Sequence, residues 1–149
     1  MKVLAGRAAL SVARAARALA KVKTVAPAAT GITARWVHLV DEARPLTEPE
    51  LAQLRQMLDY GPSDVPDAAA VIAPAQTKLW IAPRLGTTSP WSSKATDIAR
   101  VCGLSAVLRI ERAVEYTVTG FDPNGSALPA KQLGAALADR MTESVITDE

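Results

Sequence analysis

The run PRLGTTSPWSSKATDIARVCGL at residues 83–104 sets a strand end, a glycine turn, two serine helix-start signals and a stopped helix in immediate succession. That order presents polar groups at a helix entrance. Pro83 and Gly86 close the apolar run of residues 79–82, and Ser89 before Pro90, or Ser92 just beyond, offers an N-cap with a first-turn proline. Ala95, Ile98, Ala99 and Cys102 follow the i, i+3, i+4, i+7 spacing and predict the buried face, Ser93, Lys94, Thr96, Asp97 and Arg100 point elsewhere, and Gly103 supplies the stop. Such a helix entrance presents free N–H groups beside the hydroxyls of Thr87, Ser89, Ser92 and Ser93 and the ammonium of Lys94, with Arg84 on the strand side. Two readings stay open there: plain capping with a solvated lysine, or recognition of an anion such as a phosphate-bearing substrate.

The same alternation of strand and helix signals runs along the whole chain. Residues 1–5 read as a short strand ended by Gly6, followed by a basic amphipathic helix in which Arg7, Arg14, Arg17 and Lys21 lie opposite Val12, Ala15, Ala16 and Leu19. Residues 32–40 read as a strand with Val37 and Leu39 on one side and Trp36, His38 and Val40 on the other. His38 is expected to be hydrogen-bonded beneath a helix. Thr47 and Glu50 form a capping box for a helix to about residue 59, with Leu51, Leu54, Arg55 and Leu58 on its buried side. Residues 61–76, with three prolines, read as a long loop.

Residues 106–119 are the clearest strand, with Leu108, Ile110, Val114, Tyr116 and Val118 on one face and Arg109, Glu111, Glu115, Thr117 and Thr119 on the other. Arg112 falls on the apolar face, where it requires a pairing acid, a bulge or an interface. Asn124-Gly125 is a turn signal, residues 128–144 read as a last helix, and residues 145–149 show no core pattern. The expected fold is α+β, a layered sheet-and-helix domain of order β-α-β-α-β-α-β-α over residues 1–144, with residues 145–149 as the start of a linker.

Composition removes several classes of function. A net charge of +2 gives no strong attraction to nucleic acid or membrane, and no run reaches the length of a transmembrane helix. The first 23 residues carry Lys2, Arg7, Arg14, Arg17, Lys21 and Lys23 without an acid, the pattern of a transit peptide, but the strand and helix signals favour a folded segment. One cysteine, Cys102, and one histidine cannot supply a disulfide, a metal set or a local nucleophile-base pair, and no glycine-rich phosphate loop is present. No residue of this chain is assigned a catalytic role, and no cofactor is expected in it.

The run PWSSKATDIA, the later Arg109-Ile110-Glu111-Arg112 and the final Asp139-Arg140-Met141-Thr142-Glu143, with Leu10-Ser11, Val37-His38 and Tyr60-Gly61-Pro62, resemble the N-terminal domain of the large single-chain phosphoribosylformylglycinamidine (FGAM) synthase, PurL type. The resemblance implies a leading, PurS-like domain of a longer enzyme, similar to a dimer of the small S subunit that bridges the components of split enzymes. It implies cytoplasmic purine biosynthesis, a ligase and glutamine amidotransferase using ATP and Mg²⁺ held outside this chain, and the synthetase and glutaminase domains as partners. It makes Arg84, Gly86, Thr87, Ser89, Trp91, Ser92, Ser93, Lys94, Asp97, Arg109, Glu111 and Arg112 candidates for a domain interface or the substrate side of the synthetase. The rival reading is a free-standing α/β binding module that turns its basic first helix toward nucleic acid or an acidic partner.

Overall fold

The computed structural model describes residues 2–58, 76–84, 86–120, 125 and 128–147, save the side chains of residues 5 and 7. In chain order the elements are strand β1 (Lys2–Ala8), helix α1 (Val12–Val25), β2 (Ala29–Glu42), α2 (Glu48–Met57), β3 (Gln76–Pro83), α3 (Pro90–Val101), β4 (Val107–Gly120), α4 (Ala130–Leu137) and β5 (Glu143–Ile146). The α+β alternation is the expected one, with a short strand added after the last helix. The strands form one antiparallel sheet in the order β1-β2-β4-β3-β5.

The two longest strands lie at the centre, paired from Ala29↔Gly120 to Glu42↔Val107. Residues directly opposite in such a pair share a face of the sheet, so Leu4, His38 and Arg112 form one row, Val40 and Ile110 the next, and Trp36 and Val114 the one on the other side. Two core clusters cover the ends of this face. Leu54 of α2 and Leu58 at its C-cap meet Ala95 and Ala99 of α3 over Leu4, Val40 and Ile110, while Val22 of α1 and Leu133 of α4 sit over Leu79, Ile81 and Val118. Each fully buried Leu or Ile contributes roughly 1.5–3 kcal/mol of transfer free energy. Trp36, His38 and Arg112 occupy the stretch between the clusters.

Several expectations are corrected by particular contacts. β1 does not stop at Gly6 but runs through it to Ala8, and the close approach of β2 explains the glycine, since a Cβ there would press on the Trp36 carbonyl oxygen at 3.0 Å and His38 Cε1 at 3.1 Å. α1 buries Val22 and leaves Val12 81% exposed, so its inner side is not centred on Val12 and Ala16. α2 has the complete Thr47–Glu50 capping box and buries Leu54, with Leu58 buried at its C-cap, but Arg55 is exposed.

In β4 a register shift makes Leu108 the extra residue: Val107 enters the core in its place and Leu108 is half-exposed. The last helix ends at Leu137, not near residue 144, and Val145 of β5 packs on the α1–α4 cluster. Gly134 permits that contact, since a Cβ on it would overlap the Val145 side chain. Of the loop expected at residues 61–76, Gln76 instead opens β3, and the rest, with Tyr60-Gly61-Pro62 and Asn124, lies outside the described residues; Gly125 has φ +80°.

Candidate domain-interface site

Helix α3 stands where the sheet runs out of strand. β3 pairs with β4 only as far as Ile81↔Val114, so the earlier part of β4 loses its partner on that side. Ile110 would then bury an unpaired N–H and C=O. The inner face of α3 supplies both partners: Ile110 N–H donates to Thr96 Oγ1 at 3.1 Å, and Ser92 Oγ donates to the Ile110 carbonyl oxygen. Thr96 Oγ1 in turn donates to the Ser92 carbonyl oxygen at 2.7 Å.

This requirement rotates the helix relative to the simple apolar pattern. Ser92, Ala95, Thr96 and Ala99 face inward, whereas Ile98 and Cys102 are exposed. The stop is as read: Gly103 has φ +83°, and Leu104 N–H reaches the Ala99 carbonyl at 2.9 Å.

At the helix entrance, Ser89 is the N-cap and accepts the Ser92 N–H at 3.1 Å, with Pro90 in the first turn. Ser89 Oγ also donates to Glu111 Oε1 at 2.9 Å. Glu111, 9% exposed, further accepts Arg109 Nη2 at 3.2 Å and the Arg112 backbone N–H at 3.0 Å. Arg109 is held on its other side by the Thr87 carbonyl at 3.0 Å. The anion beside this positive helix end is therefore the chain's own Glu111. Thr87 closes a turn onto the Arg84 carbonyl through its N–H at 3.1 Å and its hydroxyl at 2.6 Å; Gly86 supplies the φ of +84° at the third position of that turn.

The remaining candidates divide by direction. Arg84, Ser93, Lys94 and Asp97 are exposed, and Asp97 makes a surface ion pair with Arg100 at 3.7 Å. Pro90, Ser93, Lys94, Asp97, Ile98 and Val101 line a shallow cavity of about 570 Å³ on the outer side of α3.

Two of the three conditions that its sequence position suggested, a pairing acid among the described residues and a bulge, are not met at Arg112. Its guanidinium lies between two indoles, 4.4 Å from the Trp36 ring centroid and 4.8 Å from that of Trp91. Trp91 also stacks on His38, with centroids 5.8 Å apart and planes at 27°. Burial, and secondarily the charge of Arg112, lower the His38 pKa to about 4, so the imidazole is neutral at physiological pH.

Trp36 and His38 thus belong to the site although the motif reading did not place them in it. Their signal was the shared strand face with Arg112, which required the β2–β4 register to be read. Among the described residues, no three His, Cys, Asp or Glu side chains gather as metal ligands would.

Residues 35–149 match the family described as formylglycinamide ribonucleotide amidotransferase N-terminal. The chain belongs to that family. It has the N-terminal domain of FGAM synthase, a purine-biosynthesis enzyme; the match begins within β2 and includes α2, α3, β4 and every candidate residue above, while β1 and α1 precede it. Within this FGAM synthase domain the polar motif of α3 and β4 has a defined structural use, joining helix to sheet. No helix among the described residues is long and apolar enough to cross a membrane.

Proposed function

We propose that this domain acts as the scaffold and interface piece of a cytoplasmic FGAM synthase of the PurL type, presenting the α3 entrance and β4 to the synthetase and glutaminase domains. The parent reaction converts formylglycinamide ribonucleotide, ATP and glutamine to the amidine, ADP, phosphate and glutamate. ATP and Mg²⁺ belong to the partner domains in this reading, as the resemblance to FGAM synthase implies. The observation that carries it is the mutual engagement of Ser89, Ser92, Arg109 and Glu111. Their polar atoms fix helix to strand, and groups so occupied position a surface while leaving the chemistry to others.

Outward from that rigid frame point Ser93, Lys94 and Asp97, together with the exposed apolar side chains of Ile98 and Val101. A surface of mixed polarity on a fixed helix suits docking. Sedimentation of this chain with an FGAM synthase from which the domain has been deleted tests the reading. A stable one-to-one complex is expected; two species that sediment independently at micromolar concentrations contradict it.

A further inference from the structure

The stack of Trp36, Arg112 and Trp91 is left without a purpose by the frame that holds α3. A guanidinium on the helix-covered face of a sheet is expensive to desolvate unless a counter-charge meets it. The Arg112 guanidinium carbon lies over both indoles, 4.4 and 4.8 Å from their centroids, which restricts its orientation. Its N–H edge is a different matter. Among the described residues, Arg112 donates its backbone N–H to Glu111 and none accepts from the guanidinium. Arg112, Trp36 and Trp91 are all partly exposed, so the stack lies at the surface.

We infer that the Trp36–Arg112–Trp91 stack is an anchor that receives one carboxylate, an Asp or Glu side chain of the polypeptide surface docking on this face. The inference rests on the interface reading above and names the chemistry of the partner. A planar guanidinium pre-oriented by aromatic rings offers two parallel N–H donors to a carboxylate and loses little side-chain freedom on doing so. Tryptophan and arginine are also the residues that dominate the energy of protein interfaces.

Charge counting selects carboxylate over phosphate. The second ionisable group in this row, His38, stays neutral down to about pH 4, so the site offers a single positive charge. One carboxylate balances it, whereas a phosphate near neutral pH carries about 1.5–2 negative charges. Glu111, one residue before, is turned to the other side of β4 and engaged by Ser89 and Arg109.

The test uses the 149-residue chain and the side-chain Nε–Hε resonance of Arg112 in ¹H–¹⁵N NMR. It is titrated with N-acetyl-glutamate amide, with the glutamine analogue and with inorganic phosphate at matched ionic strength. A saturable shift with the capped glutamate, absent with the capped glutamine and weaker with phosphate, is the expected result. Arg112→Lys, which keeps the charge and loses the fork, lowers the apparent affinity for capped glutamate roughly tenfold, read from indole fluorescence. A linear, non-saturating response to the capped glutamate overturns the proposal, as does tighter binding of phosphate. Because this reads the isolated chain, failure of the anchor is distinguishable from failure of the interface reading, which the sedimentation experiment reports.

Discussion

The backbone N–H of Ile110 ends on the side chain of Thr96, 3.1 Å away, at a place where a neighbouring strand would ordinarily take it. One threonine hydroxyl thereby does the work of a strand partner and sets the rotation of α3. Thr96→Val keeps the shape and removes the acceptor, leaving a buried N–H unpaired. A loss of about 1–3 kcal/mol is expected, measured as a lower urea midpoint at unchanged m-value, with Thr96→Ser losing far less.

Glu111 gathers Ser89, Arg109 and the Arg112 N–H on one carboxylate. Glu111→Ala leaves three donors without their charged acceptor and should destabilise the fold by about 2–3 kcal/mol. Amide hydrogen exchange gives the local signature: the Arg112 N–H loses protection more than the global change in stability explains.

His38 makes the fold sensitive to mild acid. Its folded pKa, about 4, lies below the unfolded value near 6.5, so the unfolded chain takes up the proton first and stability falls as pH drops through that interval. The contribution is on the order of 3 kcal/mol when complete, and it changes little below pH 4. Urea unfolding at pH 7, 5.5 and 4.5 should show this slope, and His38→Phe, which keeps a ring beside Trp91, should flatten it.

Gly134 and Val145 are matched in size, since a Cβ on the glycine would lie 2.8 Å from Val145 Cγ2 and nearer still to Cγ1. Gly134→Ala should therefore cost about 1–3 kcal/mol through overpacking, although alanine favours helix. Val145→Ala in the same chain should recover part of that loss, so the double-mutant cycle is non-additive.

How much of this was legible depended on the range of the forces involved. The Thr47–Glu50 capping box and the Gly103 stop came out as read because three or four neighbouring residues decide them. The rotation of α3 did not, because the partner of Ser92 and Thr96 is a backbone unit 14 to 18 residues away, exposed only once β3 leaves β4. Arg112 was visible as a violation of the strand pattern; its resolution needed Trp36, which only the register of β2 on β4 brings beside it. β5 was missed for a similar reason, since nothing in residues 143–146 announces burial until the missing side chain of Gly134 makes room for Val145.

If this domain positions its partners and leaves the chemistry to them, the glutamine-dependent amidation rate of an FGAM synthase lacking the domain depends on whether this chain is added in trans. A rate that collapses on deletion and returns on addition, with the chain alone releasing neither ADP nor glutamate, is the predicted result. Full turnover by the shortened enzyme without any addition would contradict it.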